Sequence, residues 1–251
     1  PEGQGRRSSE GGQAPSEYPR SQSPLRRPPS GLAPGDAAAA AESAARALWT
    51  PRGGEGLGYL RDRGLIDPTI RAARLGWADG LTVPTRSRPI RVSGVTIPWY
   101  DGDRLALLKV RRLDGRPPKY VEAFRDRPAL FPSPGAIRPG RPLIAVEGEF
   151  DALLLGQEVA AAAAGASVAT VGSASSPTPD ALRRLARSCP AVYTAHDADP
   201  AGDKAAALWP SRAVRVRPPE PCNDWTDALQ AGYDLQHLWL MILNDDDHVP
   251  F

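Results

Sequence analysis

From residue 141 onward, short apolar runs alternate with helix-forming stretches, and this alternation constrains the fold more than any other feature of the chain. "PLIAVEG", "SVATVGS", "AVYTAHD" and "AVRVRP" read as strands. "EFDALLLGQEVAAAAAG", "TPDALRRLARSC", "PAGDKAAALWP" and "DWTDALQAG" read as helices, the second with Thr178 at its N-cap and Pro179 in first position. Continuous apolar strands are buried on both faces, and helical crossovers between them give a parallel sheet covered on both sides. Ligands of such sheets bind beyond the carboxyl ends of the strands.

Acids stand at those ends. Glu147 closes the first strand, in "VEGEFDA", and Asp197 and Asp199 close the third, in "AHDADPAG". Residues i and i+2 of a strand share a face, and neighbouring strands lie about 4.8 Å apart, so acids at adjacent tips can share a cation. Clustered carboxylates repel one another without one, and hard oxygen donors select Mg²⁺ or Mn²⁺. A plainer reading stands beside this. Asp199 before Pro200 is a good helix cap in its own right, and Glu147 before Gly148 suits a solvated turn. An acid after the first strand combined with DxD after the third favours the cation site.

The earlier chain is different in character. Residues 1–35, rich in Pro, Gly, Ser and Arg, hold too few large apolar side chains to offset the entropy of ordering, and read as a disordered tail or linker. "DAAAAAESAARALW" reads as a helix with Asp36 at its N-cap. "GLGYLRDRGLIDPTIRAARLGW" reads as two short helices punctuated by Gly64 and Gly76, with Asp67 as N-cap and Pro68 in first position. From about residue 90, "GVTIPWY" and "RLALLKVRRL" flank a "DG" hairpin signal. "RPPKYVEAFRDRPALFPSPGAIRPG" then reads as loop-rich and basic. The expected organisation is a tail (1–35), a smaller α+β subdomain (36–140), an α/β domain with a Rossmann-type parallel sheet (141–232), and a last helix, "LQHLWLMIL", with a solvated acidic tail, "NDDDH" (233–251).

Composition sets bounds. A formal net charge of +2 does not by itself imply a nucleic-acid partner. Arginine far outnumbers lysine, which suits bidentate phosphate contacts but also fits simple compositional bias. Cys189 and Cys222 have no CxxC spacing, so this chain alone cannot build a zinc ribbon, and cytosolic thiols are the default reading. No apolar run approaches the roughly 18–20 residues of a membrane span. No secretion signal is present, so a cytoplasmic location without membrane partners is expected. A chain beginning at Pro1 reads as a fragment or processed product.

"VEGEFDAL" and "HDADPAG", in that order, resemble the glutamate and DxDxxG motifs of the Toprim domain over roughly residues 141–232. "YLRDRGLIDPTIRAARLGW" and "GVTIPWYDGDRLALLKVRRLDGRPPKY" resemble the entry helices and strand region of DnaG-type bacterial, phage or plasmid primase cores, which extends the likeness to residues 38–232. The resemblance implies Glu147, Asp197 and Asp199 as catalytic, metal-associated acids. It implies Asp224 or Asp227, in "NDWTDAL", as a further metal acid. Gly202 would allow close backbone approach. Arg111, of the Arg111–Arg112 pair, aligns with the family's arginine, and Lys119 and Tyr120 offer a phosphate contact and a stacking surface. Trp99 reads as core, and His196 as a strand-end spacer rather than a general base, with a metal-adjacent role as the alternative.

The implied activity is that of a DNA primase. It is a metal-dependent nucleotidyltransferase that makes short RNA primers from NTPs on single-stranded DNA, with Mg²⁺ or Mn²⁺ as cofactor and a replicative helicase as a candidate partner. Two departures weigh against full equivalence. The zinc ribbon usual in DnaG-type primases is missing from this chain, which reads as a ribbon lying upstream of Pro1, one on another polypeptide, or none at all; there is also no Walker A motif and no room for a helicase domain after Gly232. A Toprim nuclease and a non-catalytic module that binds single-stranded DNA or recruits a replication partner are the rival readings. A topoisomerase lacks support, since no second large domain carries a tyrosine nucleophile.

Overall fold

The computed structural model describes residues 31–127, 129–170 and 186–245. Helix α1 (Pro34–Ala47) starts two residues ahead of the expected cap: Ala33 occupies the N-cap without a side-chain bond, and Asp36 sits in the first turn. There its charge meets the positive end of the helix dipole. The alanines at 37, 41 and 44 form the buried face. Small side chains let α1 lie close on the neighbouring strand, where a Cβ at Gly76 would stand 2.4 Å from the Ala44 carbonyl carbon. A 3-10 turn (Pro51–Gly53) leads into α2 (Gly54–Asp62) and α3 (Asp67–Ala72). Asp67 is not the cap of α3; Ile66 holds that position. The Asp67 carboxylate instead takes the Arg61 guanidinium through two bonds of 3.0 and 2.9 Å.

An antiparallel sheet follows, with strands β1 (Gly76–Val83), β2 (Ile90–Asp101), β3 (Arg104–Arg112) and β4 (Tyr120–Arg125) paired in sequence order. The β2–β3 hairpin turns at the expected "DG", with Gly102 at φ +61. Two strands were not legible. Gly76 begins β1 rather than ending a helix, and β1 breaks its own alternation at a bulge between Ala78 and Leu81. β4 lies inside the stretch expected to be loop.

The parallel sheet is built as the alternation predicts. Its strands are β5 (Leu143–Val146), β6 (Ser167–Thr170), β7 (Val192–Thr194) and β8 (Val214–Arg215), ordered β6-β5-β7-β8. Helices α4 (Glu149–Ala161), α5 (Pro200–Ala206), α6 (Trp225–Gln230) and α7 (Leu235–Asn244) accompany it. The helix expected around Thr178 and the "DDH" of the acidic tail fall outside the described residues. The fold class is mixed α/β, a parallel sheet preceded by an antiparallel one.

Alternation along β5 divides the core. Leu143 and Ala145 face one buried cluster with Val192 and Trp209, while Ile144 and Val146 face another. That second cluster continues into the antiparallel sheet, taking in Val95, Ile97 and Trp99 of β2 and Leu107 of β3. Trp99 is core, packed on Phe131 with centroids 5.4 Å apart. α7 buries Trp239 against Trp225 and Tyr193. No helix among the described residues is long and apolar enough to cross a membrane.

Candidate active site

Strand order creates the site. β5 and β7 are hydrogen-bonded neighbours, although α4 and β6 separate them in sequence. Glu147, one residue past β5, and Asp197, just past β7, therefore emerge side by side at the carboxyl edge. They line a cleft of about 410 Å³ between the two sheets. Asp151 and Asp224 line it with them, while Arg63, Lys109, Lys119 and Tyr120 contribute the opposite character.

The acids strain one another. Burial, then the charges of Glu147, Asp224 and Asp199, push Asp197 up to about 7. Burial, then Asp224 and Asp197, push Asp151 up to about 8, with Arg63 opposing. One oxygen of Asp151 is buried with no hydrogen-bond partner among the described residues. Among those residues, no three His, Cys, Asp or Glu side chains stand close enough to grip one ion as placed. The acids thus face a common space without forming a closed ligand shell. Their chemistry, carboxylate oxygen throughout, fits a hard divalent cation.

The other expected residues divide. Asp199 caps α5, its Oδ1 accepting the Gly202 N–H at 2.7 Å, and does not line the cleft. Asp224 both lines the cleft and caps α6 through the Asp227 N–H at 2.7 Å. Asp227 is exposed, outside the cleft, and accepts from the Asn223 N–H. Gly202 is buried where a Cβ would stand 2.2 Å from the Asp197 carbonyl oxygen, so the backbone does approach closely there. Arg111 pairs with Tyr120 across β3 and β4 and stacks between rings, 5.3 Å from Tyr120 and 5.6 Å from Tyr59. It lines a neighbouring recess with Arg112, Arg116 and Lys119 rather than the acidic cleft. The Arg112 guanidinium is taken by Asp114, through bonds of 2.6 and 3.0 Å. His196 is buried, neither ring nitrogen has a partner among the described residues, and burial holds it down to about 4, so it is neutral at pH 7. It does not reach the cleft.

Sequence reasoning missed Asp151, Lys109, Glu149 and Arg63. Asp151 had a signal: it follows Glu147 by four residues, and a first-turn side chain leans back toward its helix's N-terminus. Lys109 shares a strand face with Arg111 by the period of two. It reaches across to Glu149 at the start of α4, with Nζ to Oε1 2.6 Å and side chains 14% and 3% exposed. Arg63 had only the i,i+4 spacing to Tyr59 as a local signal. It lies over the Tyr59 and Phe150 rings at 5.3 and 5.2 Å and donates to the Tyr59 hydroxyl one helical turn back, while Phe150 is brought to it by tertiary packing.

Residues 144–229 match the Toprim-like family. No curated protein matches the chain by sequence. Solved structures do match in fold. A DNA primase domain from Pseudomonas aeruginosa is 22% identical with a TM-score of 0.63, over 83% of this chain and 78% of that one. The RNA polymerase domain of Mycobacterium tuberculosis primase DnaG, in complex with a double-stranded DNA oligomer with a 6-nucleotide overhang, is 19% identical with a TM-score of 0.62, over 83% and 78%. A DnaG primase catalytic domain bound to single-stranded DNA is 18% identical with a TM-score of 0.62, over 80% and 75%. At such identities the likeness is one of fold.

Proposed function

We propose that this chain, which carries a Toprim-like domain within the fold of a DnaG-type primase catalytic core, is a metal-dependent nucleotidyltransferase that makes short RNA primers on single-stranded DNA. One observation carries the reading. The carboxylates of Glu147, Asp151, Asp197 and Asp224, of which Asp151 and Asp197 are pushed up by burial and by their acidic neighbours, face lysines, an arginine and a tyrosine across one cleft, at the strand edge where α/β sheets bind ligands.

Glu147 and Asp197, with Asp151 and Asp224 beside them, are the residues that would hold Mg²⁺ or Mn²⁺. The bound cation would supply neutralisation of triphosphate charge and a lowered pKa for the attacking hydroxyl. The attacking oxygen is a primer 3′-hydroxyl or that of the first nucleotide; it gives up its proton to water, bonds to the α-phosphorus of the incoming NTP, and the bond from that phosphorus to the α,β-bridging oxygen breaks to release pyrophosphate. No protein nucleophile takes part. Lys119 and Arg111 bind phosphates, and Tyr120, fixed by Arg111, gives a base a face to stack on. Asp199 and Gly202 hold the loop that carries Asp197. Catalysis here is positioning plus charge stabilisation.

Template-dependent incorporation of labelled NTPs tests the proposal. Asp197→Ala is expected to lose about 100-fold or more in rate while binding single-stranded DNA as tightly as the parent, with the same salt dependence. Equal incorporation by both proteins overturns the metal assignment. Metal-dependent cleavage of plasmid or single-stranded DNA without synthesis makes the chain a nuclease. Salt-sensitive DNA binding indifferent to Mg²⁺, with neither activity, makes it a binding module.

A further inference from the structure

Arg215 ends β8, the two-residue edge strand of the parallel sheet. Its guanidinium turns back over the tip of β7. Nη1 donates to the carbonyls of Thr194, His196 and Val216 at 3.1, 2.7 and 2.9 Å, and Nη2 donates to the Asp197 carbonyl at 2.6 Å. The group is itself held. Its Nε and Nη2 reach the Asp203 carboxylate at 3.3 Å, and Arg217 grips that carboxylate from another side at 2.8 Å. The Arg215 side chain is only 18% exposed.

The β7–β8 pairing stops at Thr194 and Arg215, so the carbonyls of His196 and Asp197 lie past the last rung of the sheet. Backbone carbonyls in such a place need partners. A planar guanidinium with five donors in a fixed fork serves several at once, where an ammonium is a point charge on a flexible stem. The Asp197 carbonyl is enclosed from the other side too, by the close approach of Gly202. Neighbouring backbone groups are likewise taken: the Ala195 carbonyl accepts the Trp225 indole N–H at 2.8 Å, and the Ala198 N–H donates to the Asn223 carbonyl at 2.8 Å. Arg215 is the one charged side chain in this set, and it places a positive charge behind the backbone of the acid that lines the cleft.

We infer that Arg215 is a positioning residue for the cation site. By holding the His196 and Asp197 carbonyls it fixes the direction from which the Asp197 carboxylate meets a divalent cation. The inference rests on the metal reading given under the proposed function, and touches no substrate itself.

Binding of Mn²⁺ to the full chain, followed by the paramagnetic resonance of free Mn²⁺ without nucleotide or DNA, tests it. Arg215→Ala is expected to weaken affinity about 10- to 100-fold, as loss of a group that orients a ligand does. Arg215→Lys is expected to recover only part, and added methylguanidinium to recover part of the Arg215→Ala loss. Arg212→Ala is the control. Arg212 also donates to backbone carbonyls, those of Ala186 and Cys189, but at the opposite end of β7. It should lower thermal stability and leave Mn²⁺ affinity unchanged. A folded Arg215→Ala protein with parental affinity overturns the inference. If that variant does not fold, Asp203→Asn decides, since it loosens Arg215 without removing it; a severalfold weaker affinity supports the inference and parental affinity overturns it. A parent that binds Mn²⁺ through Asp197 but makes no primers defeats the proposed activity and leaves the role of Arg215 standing. A parent that binds no Mn²⁺ defeats both.

Discussion

Asp151 and Asp197 keep their protons in the metal-free folded chain to about 8 and about 7, whereas an unfolded carboxylate loses its proton near pH 4. The folded state binds these protons more tightly, so its stability falls as pH rises from the unfolded value and levels off above the folded one. His196, held down to about 4, acts in the opposite sense below its ordinary value of about 6.5. The clean window therefore runs from about pH 6.5 to about pH 8.5. Across it the Tm of the metal-free chain should fall, Mg²⁺ should restore it at the alkaline end, and Asp151→Asn should flatten the profile. A level Tm in the parent contradicts the mutual strain of these acids. Asp197 was legible because a DxD at a strand end is a local pattern. Asp151 follows Glu147 by four residues and leans back toward it from the first turn of α4, yet its meeting with Asp197 depends on β7 lying next to β5, which the spacing of residues does not write. Arg63 acts beside Tyr59, one helical turn back, and under Phe150, a ring that only the packed structure brings to it.

Elements carry the next two predictions. α5 lies against the Asp197 backbone at Gly202, and a methyl group there would overlap the carbonyl oxygen at 2.2 Å. Gly202→Ala should cost about 1–3 kcal/mol, typical of overpacking, and weaken Mg²⁺ use along with stability; denaturant unfolding and metal titration read the two. β3 and α4 are joined by Lys109 and Glu149, whose carboxylate side chain is 3% exposed. Lys109→Met should cost about 3–5 kcal/mol by leaving that buried charge without its ammonium, and Glu149→Leu in the same chain should recover most of it. A double-mutant cycle in urea reads the coupling; simple additivity would deny it. The elements were unevenly legible. β5 is apolar at every position and announced itself, whereas β1 breaks at a bulge and carries Gly80 at φ +73, which erases the period of two. β4 is only six residues long and its alternation breaks where Ala123 and Phe124 are both buried, amid prolines and arginines that read as loop.

At the scale of the whole molecule, the order of strands was beyond reach of the sequence, and with it the adjacency of β5 and β7 that gathers the acids. The alternation gave a parallel sheet but not which strands touch, since that is settled by how helices and sheets share their buried faces. Here they share them across the two sheets: Val95, Ile97 and Trp99 of one, Ile144 and Val146 of the other, and Phe150 of α4 lie in a single cluster. Cutting the chain between residues 140 and 141 would bare apolar surface on both pieces. Expressed apart, the two are expected to aggregate; expressed together, they should associate through that surface with no linker. The protein would then work as a fragment-complementation pair, two inert pieces whose reunion is reported by the return of Mn²⁺ binding, and soluble, folded pieces that ignore each other would count against it.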